Sequence, residues 1–534
     1  MSNVVLYDTT LRDGTQMEGI NLTVDDKLLI TEKLDEIGIH IIEGGTPTSN
    51  PKDIEYFQRV RGLNLKNAQI SAFGLTRRTD ITPESDKNLE SLLQSEAPII
   101  TLVGKSDIRH VTQIIETTEA ENLRMIEESI EYLLKHNRRV IFDAEHFFDG
   151  YKYDPKYALQ TLKIAAEAGA ESVDLCDTNG GTLPNELPAI IAAVLPGVKT
   201  RIGIHCHNDC DVAVANSLIA FDQGILQIQG AVNGWGERTG NANILSIIAN
   251  LKTKKHVDCV SDEQLGLLTE ISHIIDGIAN ISPKASQPFV GDSAFAHKGG
   301  IHAAAIAKWE DSYQHMTPES VGNHKRVLVS ELSGRQNVIA KAEEVGLEIA
   351  NDQVLVQRVL ERVKEQENLG FHYEGADASF ELLIRKESAN YVPKFHLVNY
   401  TVIVGKHQTD TKRFENDEAR SEATVKVQVG NKVYFDAADG NGPVNALDGA
   451  LRKALRDKFP QVDTVQLTDF KVRILEEREG TEAQVRVLIE STDGTNLWRT
   501  VGSSANLIEA SWIALTDSLE YWLLKWGDAD PKQI

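Results

Sequence analysis

Short apolar runs alternate with longer amphipathic stretches over the first half of the chain. The apolar runs are strand-like and cover residues 4–7, 39–42, 69–73, 99–103, 139–142, 172–175, 201–204 and 226–232. Helical periodicity occupies the intervening segments 23–37, 51–61, 120–135, 155–168 and 211–221. Eight β–α repeats over roughly 250 residues are what a (β/α)8 barrel requires. We therefore predict an α/β fold with a TIM barrel. A doubly wound sheet is the main rival, weakened because no Gly-x-Gly-x-x-Gly follows the first run.

The second half of the chain has a different pattern. Residues 281–370 are mostly helical in periodicity, and from residue 379 onward long strands with alternating apolar positions follow. Strands followed by an amphipathic helix occur twice, and the two helices carry one apolar face each, at Leu447, Leu451, Ala454 and Leu455, and at Ile508, Trp512, Leu515 and Leu519. We predict a barrel over residues 1–278, a helical linker over 279–375 and a duplicated C-terminal α+β domain over 376–534.

Composition and charge narrow the classes of partner. The chain has 534 residues, 41% of them hydrophobic, with a formal net charge of -24. Such an acidic protein is not expected to bind nucleic acid or anionic membranes, which attract excess Lys and Arg. The four cysteines include no Cys-x-x-Cys pair, and no signal peptide or membrane-spanning run is evident. We predict a soluble, cytoplasmic protein.

Two histidines at the end of the seventh apolar run are the first candidates for chemistry. In an extended strand His205 and His207 project to the same side, where one divalent ion could meet both imidazoles. A lone His-x-His is more often structural, but polar residues also follow the other runs, and a barrel gathers these strand ends on one face. They are Arg12, Asp13, Glu43, Glu145, Asp177, Thr178, Asn233, Glu237 and Asn241.

This set of residues suits chemistry on a 2-oxo acid. With Asp13, His205 and His207 as ligands, an ion would polarise the ketone of the substrate. Arg12 could stabilise oxygen that becomes anionic, and Thr178 could hold the substrate carboxylate. His302, in a glycine-rich segment, is a candidate base for forming a carbon nucleophile. A structural histidine is the simpler interpretation of His302 taken alone.

Three motifs together resemble the 2-isopropylmalate and homocitrate synthase family. They are Leu-Tyr-Asp-Thr-Thr-Leu-Arg-Asp-Gly-Thr-Gln at residues 6–16, Gly-Ile-His-Cys-His-Asn-Asp at 203–209 and Asn-Gly-Trp-Gly-Glu-Arg-Thr-Gly-Asn-Ala-Asn at 233–243. The likeness extends over the whole chain, including a C-terminal part similar to the family's regulatory domain. Within the family, residues 142–150 look most like the longer members that use pyruvate.

The resemblance implies a role for each matching residue. The metal ligands would be Asp13, His205 and His207, with Asn241 nearby, and the ion would be manganese, magnesium or zinc. Arg12 would stabilise the oxyanion, while Glu145 and His302 would serve proton abstraction, assisted by Tyr313. The remaining substrate-binding residues would be Gln16, Asp143 and Thr178. Asp143 departs from the tyrosine that some pyruvate-using relatives carry.

The implied reaction joins acetyl-CoA to pyruvate and hydrolyses the thioester, giving (R)-citramalate and CoA on the route to isoleucine. The resemblance further implies a homodimer and feedback by an amino acid, isoleucine on this route. A 2-isopropylmalate synthase using 2-oxoisovalerate is the nearest alternative. A hydroxymethylglutaryl-CoA lyase would need a cysteine in the loop at 234–243, which has none. The duplicated domain alone would also suit a non-catalytic amino-acid sensor.

Overall fold

The computed structural model describes residues 4–48, 50–297, 300–306, 308–327, 334–405, 420–475 and 483–527. The chain divides into two compact units. One comprises residues 1–295 and 316–325, and the other comprises residues 296–315 and 326–534. The predicted three-part division is finer than this one, and its boundaries stay a prediction.

The first unit is a closed barrel in which every strand pairs in parallel with its sequence neighbours, and the first strand pairs with the eighth. The predicted (β/α)8 barrel is therefore confirmed, and the open sheet is excluded. The strands are β1 Val5–Asp8, β2 Ile41–Glu43, β3 Gln69–Leu75, β4 Ile99–Lys105, β5 Arg139–Glu145, β6 Ser172–Asp177, β7 Arg201–Cys206 and β8 Gln227–Gly230.

Helices surround this barrel and bury their apolar faces against its outer surface. Several of these helices are preceded by a residue whose side chain accepts from a free backbone N–H group. Thr23, just before α1, accepts from the N–H of Asp26 in a reciprocal capping box. The helices are α1 Val24–Glu36, α2 Pro51–Val60, α3 Lys87–Gln94, α4 Ile108–Gln113, α5 Glu119–Lys135, α6 Phe147–Tyr153, α7 Pro155–Glu167, α8 Leu187–Val194, α9 Ala213–Asp222, α10 Ile244–Thr253, α11 Asp262–Leu265 and α12 Leu268–Ile278.

Along three strands, the side chains inside the barrel change from apolar to polar toward the carboxyl ends. A small apolar cluster is formed by Tyr7, Ile41, Ile99 and Ile141. Because side chains alternate along a strand, the residues two positions further on point to the same side. On β2, β4 and β5 these are the buried polar residues Glu43, Thr101 and Asp143. The sequence thus places polar groups inside the barrel at the end where active sites form in this fold.

The second unit begins with short elements and continues as a helical region. These elements are β9 Ala296–His297, α13 Gly300–Ile306, β10 Arg326–Val327, α14 Arg335–Glu344, α15 Gln353–Asn368 and α16 Asp377–Glu387. The two short strands pair in parallel. Buried Val338, Val359 and Phe380 belong to one apolar cluster, which also includes Val501 from the C-terminal part.

The C-terminal part consists of two similar halves, which confirms the predicted duplicated α+β domain. The first half contains the antiparallel sheet β11 His396–Gly405, β12 Arg420–Val429 and β13 Lys432–Gly440, followed by α17 Pro443–Arg456; the second contains β14 Gln466–Ile474, β15 Val485–Thr492 and β16 Leu497–Ser504, followed by α18 Leu507–Lys525. Both helices bury the apolar face predicted for them, as at Leu447 and Leu515. No helix within the described ranges has the length and apolar character needed to cross a membrane.

Candidate active site

Three predicted metal ligands converge at the carboxyl end of the barrel. Asp13 lies in the loop after β1, and one of its carboxylate oxygens, Oδ2, is 3.4 Å from Nε2 of His205 and 3.6 Å from Nε2 of His207. His205 lies within β7, whereas β7 ends at Cys206, so His207 lies just beyond the strand and forms an isolated bridge with Asn241. All three side chains are buried, and their ligand atoms lie within 4.8 Å of one another.

Several buried polar atoms around this cluster lack hydrogen-bond partners among the described residues. They are Oδ1 of Asp13, Nδ1 of His207 and both amide atoms of Asn241. Buried polar atoms are nearly always satisfied in folded proteins, so unpaired ones at one place indicate a missing ligand or water. Carboxylate and imidazole groups suit manganese, zinc and similar divalent ions. The residues present therefore fit the divalent ion that the sequence predicted.

The electrostatics of the cluster favour a charged aspartate and a neutral His207. Burial raises the pKa of Asp13, but the charge of Arg12 and the two imidazoles outweigh it, and the pKa lies well below its usual range. Burial and the neighbouring His205 lower the pKa of His207 to about 3. Burial also lowers the pKa of His205, yet the hydrogen bond and charge of Asp13 more than compensate and raise it. The carboxylate is thus ready to bind a cation.

Arg12 is held rigidly beside the cluster. Its Nε donates to the buried carboxylate of Glu43, and its Nη1 lies 3.4 Å from Oδ2 of Asp13. The guanidinium carbon stacks 3.9 Å from the centre of the Phe73 ring. Glu43 in turn accepts a hydrogen bond of 2.9 Å from the hydroxyl of Tyr7. A cation fixed in advance can stabilise developing negative charge without reorganising, which suits the predicted oxyanion role of Arg12.

Thr178 follows β6, and its hydroxyl oxygen accepts the backbone N–H of His146 at 2.8 Å. His146 follows β5 and has left-handed backbone angles, φ 58° and ψ 30°. A residue other than glycine in this conformation is strained, and such strain tends to occur at functional sites. This hydrogen bond fixes the position of the Thr178 hydroxyl oxygen. The hydrogen of the hydroxyl group can still be donated to a ligand.

Glu145, the last residue of β5, forms an ion pair with Lys105, the last residue of β4. Its other carboxylate oxygen lies 4.0 Å from Nε2 of His146. The imidazole of His146 packs against that of His110, with ring centres 3.9 Å apart. Glu145 thus lies among groups that can exchange or orient protons at the barrel mouth, which suits the predicted role in proton transfer.

Asp143 lies one pleat deeper on β5 and belongs to a buried hydrogen-bond network. Its Oδ1 accepts from Nε2 of Gln229 at 2.9 Å, and the same nitrogen donates to Oδ2 of Asp174 at 2.7 Å. Burial, together with the charges of Asp174 and Glu43, raises the pKa of Asp143 to about 8. Asp143 is therefore held by this network, and its predicted contact with substrate stays a prediction.

Three predicted site residues remain, Gln16, His302 and Tyr313. Gln16 is exposed, and its backbone N–H donates to the carbonyl of Asp13 at 3.0 Å. His302 and Tyr313 belong to the second compact unit, where their rings stack with centres 4.1 Å apart. The mutual stacking is consistent with a shared task, but their roles stay predictions.

Three residues of the site were not assigned these roles from the sequence. Glu43 was noted only as a polar strand end, Lys105 was not noted, and Gln229 was included in an apolar run. Gln229 could have been recognised as a polar residue inside an apolar run that is predicted to be buried. A buried amide must have hydrogen-bond partners, so such a residue indicates polar groups nearby. The partners themselves depend on contacts between strands that are distant in sequence.

Comparison with known proteins is consistent with this geometry. Residues 3–275 match the HMGL-like family, residues 289–369 the homocitrate synthase post-HMGL domain-like family, and residues 374–523 the LeuA allosteric (dimerisation) domain. The chain is 50% identical to an (R)-citramalate synthase of Geobacter sulfurreducens, over 98% of both chains, and 49% identical to one of Aquifex aeolicus, also over 98% of both. A probable 2-isopropylmalate synthase of Methanopyrus kandleri is 31% identical, over 95% of this chain and 96% of that one. With these matches extending over nearly its full length, the chain belongs to the (R)-citramalate synthases of the HMGL-like family.

Proposed function

We propose that this protein condenses acetyl-CoA with pyruvate and releases (R)-citramalate and CoA, as the names of its relatives suggest. The observation that carries the proposal is the carboxylate oxygen of Asp13, 3.4 Å and 3.6 Å from two imidazole nitrogens, beside Arg12. A divalent ion bound there would polarise the ketone of the substrate. The proposal extends to a cytoplasmic location, the place predicted from the composition of the chain.

The side chains of the barrel take distinct parts in the proposed reaction. Thr178 donates its hydroxyl hydrogen to the carboxylate of pyruvate and so orients the ketone. One proton of the acetyl methyl group passes to a base, a role that the resemblance assigns to His302 together with Glu145, and the resulting carbanion forms a bond to the ketone carbon. The ketone oxygen gains negative charge, which Arg12 stabilises until the base returns the proton and a tertiary alcohol forms. Water then cleaves the thioester, giving the second carboxylate and the free thiol of CoA.

We also propose that the C-terminal domain binds isoleucine and joins two chains in a homodimer. Support comes from the match of residues 374–523 to an allosteric and dimerisation domain, and from the duplicated α+β architecture. Isoleucine is the feedback amino acid expected on the citramalate route. Leucine sensitivity would instead favour the 2-isopropylmalate alternative.

Thiol release from acetyl-CoA with a panel of 2-oxo acids tests the proposal. Release should be fastest with pyruvate, should stop in the presence of a chelator and should return when Mn²⁺ or Zn²⁺ is added back. The variant His205→Ala should be inactive but folded, while His136→Ala, at the exposed end of α5, serves as a control expected to match the wild type. Preference for 2-oxoisovalerate would replace citramalate with 2-isopropylmalate as the product. No release with any 2-oxo acid would favour the non-catalytic sensor.

A further inference from the structure

Gln229 forms hydrogen bonds with side chains of three other strands inside the barrel. The side chain of this β8 residue is fully buried and connects three other strands. Its amide nitrogen donates to Asp143 on β5 at 2.9 Å and to Asp174 on β6 at 2.7 Å. Its amide oxygen lies 2.8 Å from Nδ1 of His205 on β7. One amide thus satisfies two carboxyl groups and one predicted metal ligand.

These contacts determine the orientation of the amide. In the structure the nitrogen faces the two carboxyl groups, which keep an acceptor oxygen whether charged or neutral, and the oxygen faces the imidazole. An amide oxygen can only accept a hydrogen bond, so Nδ1 of His205 has to carry the hydrogen. In the neutral imidazole that binds a metal ion, the remaining ring nitrogen, Nε2, then keeps its lone pair. This is the atom that lies 3.4 Å from Oδ2 of Asp13 in the predicted metal cluster.

We infer that Gln229 is a positioning residue for metal binding: it fixes the tautomer and ring orientation of His205 so that Nε2 faces the ion. Residues that hydrogen-bond to the second nitrogen of a ligating histidine commonly change metal affinity by 10- to 100-fold when replaced. This inference rests on the proposed metal site at Asp13, His205 and His207. It assigns a role to a residue that does not touch the ion.

The two histidines of the site differ in the hydrogen bonding of their Nδ1 atoms. Nδ1 of His207 is buried and has no hydrogen-bond partner among the described residues, whereas Nδ1 of His205 is bound by Gln229. His205 is therefore the imidazole whose orientation is set before an ion arrives. We expect His205 to contribute more than His207 to the affinity for the metal ion.

The chain contains a matched control two residues earlier on the same strand. Gln227 is equally buried, and its amide nitrogen donates to Oγ of Ser172 at 2.8 Å and to Oδ2 of Asp174 at 2.7 Å. It therefore shares the Asp174 contact with Gln229 but has no described contact with His205. Replacing Gln227 removes a similar buried amide while leaving the imidazole bound.

The experiment compares Gln229→Met and Gln227→Met in the full-length protein. Mn²⁺ affinity is measured by calorimetric titration, and the visible spectrum of the Co²⁺-loaded protein reports the ligand geometry. Gln229→Met should bind Mn²⁺ roughly 10- to 100-fold more weakly and shift the Co²⁺ bands, while Gln227→Met should match the wild type in both. Equal affinity and an unchanged spectrum in Gln229→Met would overturn the inference, as would equal losses in both variants.

A second variant keeps the test decisive if Gln229→Met does not fold. Gln229→Glu retains an oxygen that can accept from Nδ1 of His205 but loses both donors, so its Mn²⁺ affinity should stay close to that of the wild type. A loss as large as that of His205→Ala would contradict the inference. Failure of the proposed metal site gives a different result, because the wild type would then bind Mn²⁺ no better than His205→Ala does.

Discussion

The backbone N–H of His146 donates to the hydroxyl of Thr178 at 2.8 Å and links the ends of β5 and β6 at the barrel mouth. The contact occupies one lone pair of this hydroxyl, so its hydrogen can still be donated, and we predict that it is donated to the carboxylate of pyruvate. Thr178→Val should lower kcat/KM for pyruvate roughly 10- to 100-fold, since it removes a hydrogen bond to a charged group. Steady-state thiol release measures this, with the KM for acetyl-CoA expected to change little. Thr178→Ser keeps the hydroxyl and should remain close to the wild type; an equal loss in Thr178→Ser would refute the role.

Replacing His302 tests the base assigned from the resemblance. His302→Asn should lower kcat by about 10²-fold, the usual contribution of a general base. Tyr313→Phe keeps an aromatic ring in the stack with His302, whose centres lie 4.1 Å apart, and should lose less activity. Both rates come from thiol release at saturating acetyl-CoA and pyruvate. A near-normal rate in His302→Asn would leave Glu145 as the remaining candidate base.

Asp8 should make the stability of the barrel depend on pH. Burial raises the pKa of Asp8 from 3.8 to about 7, although hydrogen bonds from Thr10 partly oppose the shift. The folded state therefore favours the protonated carboxyl. The contribution of Asp8 to the stability of the folded protein is fully present below about pH 4 and is lost as the pH rises through 7. Within this window one such group lowers the free energy of unfolding by about 1.4 kcal/mol for each unit that the pH rises.

The variant Asp8→Asn isolates this effect. Its side chain is neutral at every pH, so thermal midpoints measured by circular dichroism from pH 5 to 8 should fall less steeply than those of the wild type. Asp143, with its pKa raised to about 8, adds the same pH dependence of stability to both proteins, so its effect cancels when their slopes are compared. Identical slopes for the two proteins would mean that Asp8 titrates normally.

Removing residues 376–534 should abolish inhibition by isoleucine. The truncation also removes Val501, which belongs to the same apolar cluster as Val338 of the linker, so the shortened chain should have a lower thermal midpoint. Activity with and without isoleucine is therefore compared at a temperature where both proteins remain folded. Unchanged inhibition of the truncated protein would place the effector site outside the C-terminal domain.

Much of the barrel could be predicted because its signals are local. Each strand was an apolar run, and each predicted strand overlaps an observed one. Helices such as α8 were not predicted, since Leu187–Val194 is apolar on nearly all sides and lacks the periodicity that marks a surface helix. The two histidines and Asp13 could be brought together because a barrel gathers strand ends on one face.

The contacts that support these residues could not be predicted in the same way. The partners of Gln229 on β5, β6 and β7 depend on strand register and on which face each side chain occupies. A shift of one residue would turn every such side chain to the other face, and the sequence of one strand does not specify its register with another. Similarly, the pairing of Arg12 with Glu43 depends on contact between β2 and the loop after β1.

The polar interior of the barrel has a consequence for engineering heat resistance. Barrels of this fold usually fill their centre with branched aliphatic side chains, but here acids and amides such as Glu43, Asp143 and Gln229 occupy that volume. Replacing them with aliphatic groups would be the obvious route to a tougher scaffold, yet it would dismantle the supports of the catalytic face. Stabilising substitutions are therefore better made in the outer helices and the loops, away from these buried polar side chains.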